Sequence, residues 1–189
     1  MAAHHEAGHA VACVVLGVPF QKVRLDRNGL GGGAVVANVE QMKIRRRALQ
    51  RKESDHKRIR RDIITVIAGP AAQERFNKIH GRSRHDPIKD PACENDWKLA
   101  LLLATAIANP VKVDEQYTEA IPIAVSCVPV AQRLVAKHWF SVQAVARALL
   151  DRGQVSQAEV RQNVFDKLKK PTFGSRQRVP RATRVKAAR

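Results

Sequence analysis

Cysteine is sparse in this sequence. Its 189 residues include three, Cys13, Cys93 and Cys127, an odd number with no CxxC pair. That excludes a disulfide framework and a cysteine-based zinc ribbon, and it points to a reducing, cytoplasmic compartment. Long apolar runs are missing too. The uncharged stretches Leu99 to Val111 and Ala120 to Gln132 fall short of the roughly 20 residues that cross a bilayer, and no basic segment precedes an apolar one at the N-terminus. The expectation is a protein with no anchor, no secretion signal and no membrane partner. No GxxxxGK[ST] phosphate loop occurs, so ATP-driven work is not expected of this chain. Acidic side chains are few, 17 against 34 basic ones, for a net charge of +17.

That excess is confined to two stretches. Residues 1 to 42 and 62 to 166 are each neutral, whereas Lys43 to Arg61 carries +8 and Lys167 to Arg189 carries +9. The second stretch holds Pro171, Gly174 and Pro180 with little apolar periodicity, and it reads as a disordered basic tail from 167 to 189. Such a tail is able to bind nucleic acid, but only Phe173 within it offers a ring for base stacking, which favours a solvated, solubilising role. The remaining residues, 1 to 166, are enough for one domain with its own core and no need of covalent staples.

What is present begins at the N-terminus. His5-Glu6-Ala7-Gly8-His9 is an HExxH string followed by the apolar run Ala10 to Leu16. Residues four apart share a helix face, so His5 and His9 can offer two imidazole nitrogens to one metal ion while Glu6 reaches a water beside it. Bare HExxH strings also arise by chance, so the rest of the chain has to carry the reading.

Periodicity gives a mainly helical protein with a small β-sheet. The first helix stops at Gly17-Val18-Pro19; Gln21 to Asp26 and Ala34 to Glu40 alternate as two strands around a glycine-rich turn at Asn28 to Gly33. Ser54 is placed to cap a helix through Ile63 and Ile67, Gly69-Pro70 to interrupt it, and Ala71 to Ile79 to resume it. A loop spans 80 to 94, and a helix runs from about Asn95 to Ala108. Pro129 to Trp139, Val142 to Asp151 and Ser156 to Leu168 are amphipathic, with a capping box at Ser156 and Glu159 and a helix stop at Gly153.

A catalytic zinc takes three protein ligands and leaves a position for water. Asp96, Glu94, Cys93, His56, His80 and His85 are the candidates for the third. Asp96 stands at the head of a strongly apolar helix, where an ordinary capping role competes with a ligand role.

His5-Glu6-Ala7-Gly8-His9-Ala10 resembles the HEAGHA segment of the FtsH peptidase domain, the zinc protease half of the membrane-bound AAA+ proteases. Pro19 to Leu25 and Gly33-Ala34-Val35 resemble two strands of that family, Ala68-Gly69-Pro70-Ala71-Ala72-Gln73-Glu74 its GGRAAEE helix, and Cys93-Glu94-Asn95-Asp96 its GAxND segment. The resemblance covers about residues 3 to 163 in order. It implies an FtsH-like helical metallopeptidase with His5, His9 and Asp96 as zinc ligands and Glu6 as general base. It further implies a peptide or unfolded-protein substrate laid along the edge strand at Gly33, Ala34, Val35 and Val36, and a hexameric homo-oligomer. The chain departs from the family at Pro70, Gln73, Cys93 and Leu101. None of these removes a ligand or the base. With no ATPase half present, unfolding would fall to a separate ATPase partner. Two other expectations stand beside the peptidase: a zinc-binding pseudo-peptidase used for assembly, and a basic helical nucleic-acid-binding protein.

Overall fold

A computed structural model describes residues 2–25, 33–37, 53–82, 93–108 and 116–166. The turn at 28–32, the basic residues 43–52, His85 and the tail from 167 lie outside the described residues. The chain runs α1 (Ala2–Leu16), β1 (Phe20–Leu25), β2 (Gly33–Ala37), α2 (Glu53–Ile79), α3 (Glu94–Ala108), α4 (Gln116–Lys137), α5 (Trp139–Arg152), β3 (Gln154–Ser156) and α6 (Gln157–Phe165). It is mainly helical with one small antiparallel sheet, as periodicity anticipates.

The sheet has the order β2-β1-β3, with Val23 opposite Val35 on one side and Val155 on the other. The third strand, Gln154–Ser156, is too short to show alternation in sequence. Gly153, in the left-handed region at φ 77°, ends α5 and turns the chain straight into it. At the far end of this strand Ser156 and Glu159 close the expected capping box and start α6.

Three expectations about helices are corrected. Gly69-Pro70 does not interrupt α2, which continues through Pro70 from Glu53 to Ile79. Proline removes one backbone donor, but Pro70 is fully buried among core residues, and packing on both flanks overrides local propensity. Because α2 starts at Glu53, Ser54 lies within its first turn instead of capping it. Likewise α4 begins at Gln116 and passes through Pro122 and Pro129, far ahead of the amphipathic stretch recognised from Pro129 onward. Among the described residues, Thr118–Lys137 of this helix is long and apolar enough, by length and composition, to cross a membrane, which counting uninterrupted uncharged residues does not reveal.

The core has two parts, joined by α2. One gathers α1, β1, α5, β3 and α6 around Val11, Val23, Val142, Leu149 and Val160; the other gathers α3 and α4 around Ile59, Ile63, Ala104, Ala124 and Ala131. The last half of α2, through Ala68 and Ala72, faces the first part, and its first half faces the second. Side chains from α1 and from α3 therefore meet across the middle of α2.

Candidate metal centre

Helix α1 crosses α2 at very short range because small residues face each other. A Cβ added at Gly8 would lie 2.4 Å from the Ala68 carbonyl oxygen and 2.7 Å from the Ala72 Cβ. Only glycine admits that approach. On the same face of α1, one residue on, the His9 ring lies against Gly69: a Cβ there would be 2.3 Å from His9 Nε2. Gly8 and Gly69 together bring the two histidines of α1 onto the flank of α2.

Helix α2 then orients both rings. His5 Nδ1 donates to Gln73 Oε1 at 3.0 Å, and His9 Nδ1 donates to the Thr65 carbonyl at 2.9 Å. With an oxygen acceptor at each Nδ1, both rings carry their proton there and turn Nε2 lone pairs inward. Those nitrogens stand 3.1 Å apart. Asp96, in the first turn of α3, completes the group, with Oδ2 2.8 Å from His5 Nε2 and 3.5 Å from His9 Nε2. Three electron-pair donors converging this closely repel one another unless a cation lies between them, either a metal ion or a proton on one imidazole.

Among the described residues, His5, His9 and Asp96 are the one group of His, Cys, Asp or Glu able to hold a metal ion. Donors about 2.0 to 2.2 Å from a tetrahedral zinc lie roughly 3.3 to 3.6 Å from one another. Of the observed separations 3.5 Å falls in that range, and 3.1 and 2.8 Å are shorter than it, so the donors would move slightly apart around an ion. The donor set, two imidazoles and a carboxylate with both imidazoles held from behind, fits a divalent transition metal. Sequence spacing left Asp96 open to a capping role. In the structure it is the third residue of α3 and its carboxylate is engaged by the two histidines.

The other candidates among the described residues stay outside the group. Cys93 is fully buried just ahead of α3, Glu94 is exposed and paired with Lys98 at 2.7 Å, and His56 sits near the start of α2. His80 stacks on Phe76 with centroids 4.1 Å apart, in a row continued by His4 at 4.2 Å from Phe76 and 5.7 Å from Trp139. Cys13, Cys93 and Cys127 are all buried, and among the described residues none of them forms a disulfide. Gly69 and Thr65 are the site residues the motifs do not show: a glycine and a main-chain carbonyl carry no side-chain signature, and their roles arise only from the crossing of two helices.

Glu6 is buried beside the trio. Burial raises its carboxyl above the ordinary value, Asp96 adds to the rise, and His9 and His5 oppose it. Burial disfavours charge on His9, yet the Asp96 carboxylate outweighs it and, with Glu6 and the Thr65 carbonyl, lifts the imidazole to about 9. Burial likewise works against charge on Asp96, but His9 and the two imidazole hydrogen bonds hold its carboxyl well below the usual range.

These shifts predict a pH signature for the metal-free protein. The raised His9 pKa contributes stability that is fully present below its ordinary 6.5 and is lost as pH rises through about 9. The depressed Asp96 pKa contributes stability present above its ordinary 3.8 and lost as pH falls below it. Chelator-treated protein should therefore melt higher at pH 6 than at pH 10, and Asp96→Asn should flatten that difference. Metal must displace the His9 proton, so the apparent metal affinity should fall by about tenfold per pH unit below 9. An affinity independent of pH between 6 and 8 would contradict this.

No protein-family model matches the chain, and no curated protein matches it.

Proposed function

We propose that this chain is a zinc metalloendopeptidase of the FtsH peptidase pattern, hydrolysing peptide bonds in peptides or unfolded polypeptide. The observation that carries the reading is the convergence of His5, His9 and Asp96 donor atoms beside buried Glu6. When bound, zinc acts as a Lewis acid that brings a water's pKa down to about 7. Glu6, buried beside the three donors, is the group that would accept a proton from such a water and pass it to the leaving amine, and its raised pKa suits a residue that has to hold that proton. Gln73 and the Thr65 carbonyl keep the His5 and His9 rings in their tautomers. Among the described strands, β2 pairs only with β1, so Gly33, Ala34, Val35 and Val36 have an open edge to which an extended peptide can add by main-chain hydrogen bonds. Three cysteines without a disulfide among the described residues suit a reducing cytoplasm.

The decisive test compares wild type with Glu6→Gln, measuring zinc by mass spectrometry after dialysis and cleavage of unfolded casein without ATP. Wild type should carry one zinc per chain and cleave. The variant should keep zinc and lose cleavage by about 10²- to 10⁴-fold, the contribution of a positioned general base. A fully active Glu6→Gln protein, or a wild type that retains no zinc, would overturn the reading. Zinc retained by a wild type that cleaves nothing would favour an assembly role instead.

A further inference from the structure

Helix α4 is apolar on both faces. Ala120, Ala124, Cys127, Ala131 and Val135 recur on the inward face, packed against α2 and α3 or the end of the first core. A helix in water should then be polar on its other side. On α4 it is so only in part: beside exposed Glu119, Ser126 and Gln132, Ile121 and Val125 are half exposed at 48% and 49%, and Pro122, Pro129 and Val130 are exposed as well. Steps of three and four put Ile121, Pro122, Val125 and Pro129 on one outward stripe, and the same rows continue to exposed Arg133 and Lys137. From Ala120 to Lys137 there is no acidic residue. Arg133 and Lys137 have no carboxylate partner among the described residues. Leu102 of α3, which packs against α4, is 66% exposed.

We propose that this outward face of α4 docks on an anionic lipid bilayer. An interfacial helix has an apolar stripe sunk to the acyl boundary and cations level with the headgroups, the arrangement that Ile121, Val125 and Pro129 make with Arg133 and Lys137. The charge at this end of the face matches: Arg133 and Lys137 are exposed cations, and lysine and arginine beside an apolar stripe are drawn to anionic headgroups. Pro122 and Pro129 fit as well, since a helix carrying proline exposes unpaired carbonyls, which headgroup water can satisfy. The helix lies on the surface and does not cross it, because its inward face is occupied by α2 and α3. Surface docking reverses the expectation of no membrane partner, which rested on run lengths that measure crossing alone. It stands independently of the peptidase reading.

The test is co-sedimentation of the full chain with vesicles of phosphatidylglycerol and phosphatidylcholine, and with vesicles of phosphatidylcholine alone, alongside Ile121→Ser/Val125→Ser and Arg133→Glu/Lys137→Glu double variants. All four positions are exposed, so melting curves should stay close to wild type. Wild type should bind the anionic vesicles and not the neutral ones. Each Lys or Arg near the surface is worth about 1 kcal/mol, so the charge-reversed variant should bind at least about tenfold more weakly. The serine variant should lose a similar factor at unchanged charge. Three results would overturn the proposal: no vesicle binding by wild type; full binding by the serine variant, which would leave the basic tail as the contact; or concentration-dependent self-association abolished by the serine variant, which would give the stripe to a second copy of the chain.

Discussion

Asp96→Ala should leave the protein folded and unable to hold metal. The carboxylate supplies one of three donors, and without it the two Nε2 atoms of His5 and His9, 3.1 Å apart, keep only each other. Zinc affinity should fall well beyond the roughly 10- to 100-fold that follows loss of a hydrogen-bond partner behind a ligand. His5→Ala should match it, and Gln73→Ala, which removes the acceptor behind His5, should lose the smaller factor. Cleavage disappears with the metal in the ligand variants, whereas Glu6→Gln separates the two properties. A plain helix-terminus role for Asp96 makes a different forecast: about 1 kcal/mol of stability lost with zinc retained at one per chain. Zinc measured after dialysis together with a melting curve separates the two. An Asp96→Ala protein that keeps both zinc and activity removes this residue from the site.

Gly69→Ala should be as damaging to metal binding although position 69 carries no donor. The new methyl would sit 2.3 Å from His9 Nε2 and 2.4 Å from Cε1, so the ring has to swing away or the helices have to part. If the ring yields, its Nδ1 bond to the Thr65 carbonyl is lost along with the metal-facing lone pair. Gly8→Ala is the informative contrast, because its methyl meets the backbone oxygen of Ala68 at 2.4 Å. A backbone cannot rotate aside. Gly8→Ala should therefore lower the melting temperature of metal-free protein, while Gly69→Ala should show its main effect in zinc content. Gly81→Ala, where a Cβ meets nothing within 4 Å but φ is +63°, controls for the general cost of replacing a glycine. Normal zinc content in Gly69→Ala would mean that the ring has room the structure does not show.

How much of this could be read without coordinates differs from residue to residue. His5, Glu6 and His9 are legible because a helix repeats its face every three to four residues, so five consecutive letters define one side of a metal site. Gly153 and the Ser156/Glu159 box are legible for the same local reason, and α6 begins where they place it. Asp96 was a candidate among six, since nothing in its neighbourhood states what lies opposite it 87 residues away in sequence. Local sequence breaks α2 at Gly69-Pro70, because proline's local cost is visible there and the packing that outweighs it is not.

Legible in the residues alone are the mainly helical class, the pairing of His5 and His9 on one helix face with Glu6 beside them, the helix stops at Gly17 and Gly153, and the placing of all surplus charge in two stretches. These are short-range properties, set by backbone sterics, capping and periodicity within a few residues. Long-range packing alone brings Asp96 to His5 and His9, sets Gln73 and the Thr65 carbonyl behind the two rings, makes room for His9 at Gly69, and leaves Ile121, Val125 and Pro129 of α4 uncovered by the other described residues. Each of those depends on which helix faces which, and long-range packing chooses that partner by summing many weak contacts that no local window contains.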